Sequence, residues 1–155
     1  MKKLTYSLIA LTSALLACQN NSSTETATDS TSTDSSIVSK SVQNCYQYIK
    51  DKDTANLMTM TSGSVTTGKL DISLWEKDKN TGMIKGEMKG DTLIADYSFN
   101  SEGSGSVREV AFLKKGNQFL EGYGDTEEID GKVKFKNRAT LKFGEGIVFT
   151  KKDCN

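Results

Sequence analysis

Apolar and polar residues alternate one by one through most of this chain beyond residue 40, and that period constrains the fold more than any other feature. Leu70, Ile72 and Leu74 alternate with Lys69, Asp71 and Ser73; Leu93, Ala95, Tyr97 and Phe99 alternate around Asp96 and Ser98. Val110 with Phe112, Phe119 with Tyr123, Val133 with Phe135 and Leu141 with Phe143 continue the pattern. Successive side chains of a strand point to opposite faces, so period two predicts strands buried on one face. Turn signals fall between these runs: Lys52-Asp53, Ser62-Gly63, Asn80-Thr81-Gly82, Gly90-Asp91, Gly103-Ser104-Gly105, Gly116-Asn117, Asp130-Gly131 and Gly144-Glu145-Gly146. Eight or nine strands joined by tight hairpins are expected. Beyond residue 18 no apolar spacing of i, i+3, i+4, i+7 persists for three turns, so little helix is expected.

Short hairpins in series predict an all-β domain, an up-and-down antiparallel β-barrel of about eight strands, lipocalin-like or lysozyme-inhibitor-like. Closing the sheet removes its exposed edges. A β-sandwich is the alternative.

The N-terminus carries an address. Lys2 and Lys3 precede a mostly apolar stretch, residues 4–16, which is shorter than the roughly 20 residues a spanning helix needs. It ends Leu15-Leu16-Ala17-Cys18, which resembles the bacterial lipobox. That resemblance implies a signal peptide over residues 1–17, cleavage before Cys18 and acyl chains on that cysteine. Each buried CH₂ contributes about 0.8 kcal/mol, so several chains hold where one is marginal. Gln19 in place of aspartate favours the outer membrane, facing the periplasm or the cell surface. Residues 19–36 follow, eleven of the eighteen being Ser or Thr and none large and apolar. Such a segment buries too little surface to offset its ordering entropy. It is expected to be a disordered tether, spanning roughly 23 Å as a flexible coil. Residues 37–155 are left as one barrel domain.

Cys45 and Cys154 lie near the two ends of that domain, in a compartment expected to be oxidising. A disulfide between them is predicted, and it suits a barrel whose first and last strands meet. Closing a loop of about 110 residues would contribute on the order of 4–5 kcal/mol in the chain-entropy account.

Composition narrows the function classes. Without Lys2 and Lys3 of the leader and Glu25, Asp29 and Asp34 of the tether, the chain's 20 basic and 20 acidic residues become 18 and 17 in the domain. A near-neutral domain argues against a nucleic-acid partner and against electrostatic adhesion to anionic lipid. The chain has no histidine. That removes the commonest general base, a Ser-His-Asp or Cys-His nucleophile, and most zinc chemistry. No cofactor, metal site or catalytic residue is predicted, and the chain is read as non-enzymatic. Asp125, Glu127, Glu128 and Asp130 could make a hydrolase pair or a calcium loop, but acidic residues alternating beside a turn read as a solvated hairpin tip. The run from Asp78 to Gly82 starts like an EF-hand loop and fails, with glycine at loop position five and Lys89 where a bidentate glutamate belongs. Gly82, Gly86 and Gly90 are expected to permit bends or tight barrel corners.

The most unusual stretch is residues 101–124. Glu121 shares its strand face with Phe119 and Tyr123, so it is expected to point inward, and a buried carboxylate needs a partner. Arg108 is the candidate by type. Arg108, Glu109, Glu121 and Tyr123 are therefore the candidate ligand-facing polar residues, at the mouth of a barrel.

The order of pieces is similar to that of small, uncharacterised lipoproteins of Bacteroidota. These pieces are Cys45-Tyr46-Gln47-Tyr48, the turn from Glu76 to Gly82, the run from Gly90 to Leu93, Ser101 to Gly103 with Ser106 to Val110, Glu121 to Gly124, and Cys154. The resemblance implies a lipid-anchored envelope protein and no particular activity. Two functions are expected to compete. One is a non-enzymatic binding module, membrane-held through Cys18, for a small apolar ligand or an envelope protein. The alternative is a periplasmic inhibitor of a lysozyme-like enzyme. The small lipid-anchored lysozyme inhibitors are also disulfide-closed barrels, but their Ser-Gly-x-x-Tyr loop is matched here only by Ser104-Gly105, with Arg108 at the tyrosine position.

Overall fold

A computed structural model describes residues 40–101 and 103–154. The leader, the Cys18 site and the tether predicted for residues 19–36 lie outside the described residues. The described residues form ten strands: β1 (Val42–Lys50), β2 (Asp53–Ser62), β3 (Val65–Ser73), β4 (Asn80–Lys89), β5 (Thr92–Ser101), β6 (Ser104–Lys115), β7 (Gln118–Tyr123), β8 (Thr126–Ile129), β9 (Lys132–Phe135) and β10 (Lys142–Lys152). Arg138–Thr140 forms one 3₁₀ turn, its first free amide bonded by the Asn137 side chain at 2.9 Å.

Eight of these strands close a ring. Each of β1 to β6 pairs antiparallel with the next, β10 pairs with β7, and β10 returns to β1. The predicted antiparallel β-barrel is the observed architecture, in place of the sandwich. The strand count differs from expectation because β8 and β9 form a separate hairpin outside the ring. β9 lies parallel to the start of β6, with Val107 opposite Lys132 and Arg108 opposite Val133. Phe135, whose alternation matched the other strands, therefore lies half-buried beyond the ring, on the face of β9 that it shares with Val133, and not in the barrel core.

The hairpin chemistry explains the meander. Asp51, Gly63, Gly90, Gly116 and Asp130 each open a two-residue loop and each has φ between 53° and 60°. A positive φ at the first loop residue lets a two-residue turn match the right-handed twist of its strands. Two predicted turns lie inside strands instead. Asn80-Thr81-Gly82 starts β4, and the chain reverses earlier, around Glu76 at φ 56°, where the Lys77 amide bonds the Leu74 carbonyl at 3.1 Å. Trp75 sits in this connection, its amide held at 2.6 Å by Asp53 and its ring under the Lys52 ammonium at 3.3 Å. Gly144-Glu145-Gly146 forms a bulge in β10, where the pairing with β7 shifts between Phe143 and Val148.

The barrel interior is filled. Tyr46, Leu57, Leu70, Ile84, Leu93, Tyr97, Phe112 and Phe149 are each at most 4% exposed. Gly68, Gly82 and Gly86 face inward without positive φ, and a side chain on any of them would run into the backbone of the neighbouring strand. The strands are thus closest where glycine stands. The seam between β1 and β10 is short, with Cys45, Tyr46 and Gln47 opposite Lys152, Lys151 and Thr150. There the predicted disulfide joins Cys45 to Cys154, with Cα atoms 5.3 Å apart.

Candidate functional site

The wall opens where β6 and β7 diverge. β7 accompanies β6 from the turn up to the pair Phe112 and Glu121, then continues with β10 alone through Gly122 and Tyr123. β9 takes the vacated place beside the first half of β6. Between them lies a cleft of about 240 Å³, lined by Arg108, Val110, Glu121, Tyr123, Val133 and Phe135 among others. The fold creates it because one strand changes neighbour within a continuous sheet.

Arg108 stands opposite Tyr97 and shares its inward face. Its guanidinium carbon lies 5.5 Å from the Tyr97 ring centre and 5.2 Å from that of Phe99. Those two rings stack at 4.7 Å. Cation–π contacts of this kind contribute about 0.5–2 kcal/mol. The Nε–H of Arg108 is nonetheless buried with no hydrogen-bond partner. A buried donor left unsatisfied costs about 1–3 kcal/mol, more when charged.

Glu121 points inward as expected, but its contacts differ from the sequence expectation. It accepts a hydrogen bond from the Tyr123 hydroxyl, and the Ile147 backbone amide also faces it. No ion pair within 4.0 Å joins it to Arg108. Burial holds the Glu121 carboxyl above its ordinary range, opposed by the Tyr123 hydrogen bond, the Arg108 charge and the Ile147 amide. Tyr123 is 44% exposed as a residue, yet its hydroxyl turns in to Glu121. Its phenol is also pushed up, by burial first and then by the Glu121 hydrogen bond and charge. Burial likewise raises Tyr97 to about 12, tempered by Arg108, and its hydroxyl donates to the Leu70 carbonyl at 2.9 Å.

Glu109 borders the same cleft, but its carboxylate is committed elsewhere. It is one residue from Arg108 on a strand, so its side chain takes the opposite face. There it is 3% exposed and accepts a bond from Arg138 Nε at 2.5 Å. Its cross-strand neighbour Asp96 is bound by Lys132 at 2.9 Å. Both cations come from the segment after β8, so Glu109 and Asp96 hold the extra hairpin region to the outer wall. All four candidate polar residues border the cleft, but the Glu109 carboxylate is engaged by Arg138, so Arg108, Glu121 and Tyr123 are the ones whose polar groups are left to it.

Two parts of the site were missed in the sequence. Gly146 leaves the space that the Tyr123 phenol fills, and the Ile147 amide faces the phenol and the carboxylate together. The one sequence signal for them is the break in alternation at Gly144-Glu145-Gly146. The acidic run behaves as a solvated hairpin: Asp125, Glu127, Glu128 and Asp130 are all exposed, and Glu127 faces Lys134 across the strands. Among the described residues no three acidic or cysteine side chains gather as a metal-holding group, and no helix is long and apolar enough to cross a membrane. Ser104, Gly105 and Ser106 are exposed at the start of β6.

No family model, curated protein or solved structure matches this chain.

Proposed function

We propose that this protein is a non-enzymatic binding module, held on a bacterial envelope membrane by acyl chains on Cys18, with the cleft between β6 and β7 as its ligand site. The observation that carries the site is the buried, unpartnered Nε–H of Arg108 in a cleft beside Glu121 and Tyr123. Unsatisfied buried donors are rare, and a ligand acceptor is one reason to keep one. The filled barrel interior supports a site at the wall rather than inside. The address rests on Lys2, Lys3 and Leu15-Leu16-Ala17-Cys18, with Gln19 favouring the outer membrane. The Cys45–Cys154 disulfide fits an oxidising, extracytoplasmic setting.

Labelled palmitate fed to cells should appear on the protein in the membrane fraction, and Cys18→Ala should abolish the label and release the chain. Unlabelled wild-type protein would sink the anchor. For the site, native mass spectrometry of protein purified from its own cells should show a small-molecule adduct that Arg108→Met loses. An adduct retained by that variant places the ligand elsewhere.

A second reading, an inhibitor of a lysozyme-like enzyme, draws on the exposed Ser104-Gly105-Ser106 rim of a disulfide-closed barrel. Undiminished cell-wall lysis by lysozyme in the presence of excess protein would dismiss it.

A further inference from the structure

We infer that the cleft binds a small zwitterion, a free α-amino acid with an apolar side chain, its carboxylate on Arg108 and its ammonium on Glu121. This rests on the cleft being a binding site and adds the class of ligand.

Two opposite charges face one cleft, close enough to act on each other's ionisation, yet they do not touch. Arg108 is held against Tyr97 and Phe99, and Glu121 against Tyr123 and the Ile147 amide. Each is fixed from behind by its own neighbours, so the pair is kept open. What bridges it must offer an acceptor to Arg108 and a donor to Glu121. A carboxylate is the strongest partner for a guanidinium, and an ammonium supplies three donors to a carboxylate that has spare lone pairs.

Net charge selects between candidates. A simple anion would lie beside Glu121 and a simple amine beside Arg108, each meeting a like charge in a partly desolvated space. A zwitterion meets neither. An ammonium on Glu121 would also offset the burial that raises its carboxyl. The remaining walls, Val110, Val133 and Phe135, are apolar and suit an aliphatic or aromatic side chain. The cleft, at about 240 Å³, is smaller than the roughly 300–1,000 Å³ of drug-sized sites. A single amino acid is of that scale.

The test is calorimetric titration of the full-length, disulfide-intact chain with leucine, valine and phenylalanine. Two truncated probes accompany them: 4-methylpentanoate, which lacks the ammonium, and 3-methylbutylamine, which lacks the carboxylate. At least one amino acid should bind about tenfold or more tighter than either truncated probe. Glu121→Gln keeps the side-chain shape and should weaken that amino acid about tenfold while leaving 4-methylpentanoate unchanged or tighter. Arg108→Gln should weaken the amino acid and 4-methylpentanoate and spare the amine. Near-UV circular dichroism checks that each variant is folded, and Glu121→Gln alone decides if Arg108→Gln is not.

Three results would overturn the inference: no amino acid binding up to about 10 mM, 4-methylpentanoate binding as tightly as leucine, or amino acid affinity unmoved by Glu121→Gln. If a truncated probe binds as well as leucine and Arg108→Gln abolishes it, the zwitterion fails while the cleft stands as a binding site. If probes bind and Arg108→Gln changes none of them, the cleft itself falls.

Discussion

The phenol of Tyr123 occupies the space that a side chain on Gly146 would need. The glycine belongs to the β10 bulge and the phenol to the last residue of β7, so the bulge and the cleft are one construction. Gly146→Ala should expel the phenol, break its bond to Glu121 and cost about 1–3 kcal/mol in urea unfolding. In a Tyr123→Ala background the same substitution should cost much less, because the two changes share one contact. Equal costs in both backgrounds would refute the coupling.

Glu121 should make stability pH-dependent in a defined sense. Its folded carboxyl titrates above the ordinary 4.5 because it is buried. Below that value both folded and unfolded chains are protonated and nothing is lost. As pH rises through the interval up to the raised value, the unfolded chain releases the proton more readily, and the native state loses stability. Glu121→Gln cannot ionise. Its stability relative to wild type should therefore rise as pH climbs above the ordinary carboxylate value of 4.5, and level off once pH has passed the raised value of the folded carboxyl. Paired denaturation midpoints across that range measure it, and a constant difference would contradict the buried carboxyl.

The seam between β1 and β10 should be the weak closure of the ring. Its ladder is short, and the disulfide lies beside it. Replacing Cys45 and Cys154 by serine should lower stability by on the order of 4–5 kcal/mol in the loop-entropy account. Amide exchange should then accelerate first at Tyr46, Gln47 and Thr150. Uniform acceleration around the barrel would mean the seam is no weaker than the other pairings.

Inward glycines should be intolerant where an outward one is not. A Cβ on Gly86 would overlap the Ile94 carbonyl and crowd Ala95, whereas on Gly105 it would meet only the Asn100 side chain, at 3.7 Å. Gly86→Ala should cost about 1–3 kcal/mol or more, and Gly105→Ala should stay within about 0.5 kcal/mol of wild type. Thermal or urea unfolding of the two variants compares them directly.

Much of the barrel was legible because its signals are local. Leu70 with Ile72 and Leu93 with Tyr97 declare an inward face by period alone, and Gly63, Gly90 and Gly116 mark the turns between strands. Arg108 and Glu121 could be placed on inward faces by the same rule. What local pattern could not show was which strand neighbours which. β9 alternates like a wall strand but pairs beside β6 outside the ring, which moved Phe135 out of the interior. Glu109 was grouped with Arg108 by adjacency, although adjacency on a strand means opposite faces. Its partner Arg138, twenty-nine residues away, and the Tyr123 pocket at Gly146 depend on long-range register that no short window contains.

Pairing Cys45 with Lys152 puts the beginning of β1 and the end of β10 at the same end of the barrel. Strands alternate direction around the ring, so the first half of β6 and the end of β7 lie toward the opposite end, and the cleft with them. The polypeptide therefore enters and leaves on one side, and ligand would be met on the other. Capture through a C-terminal tag on a sensor surface should leave the cleft unobstructed, whereas a fusion inserted at Asp130-Gly131 would crowd its rim.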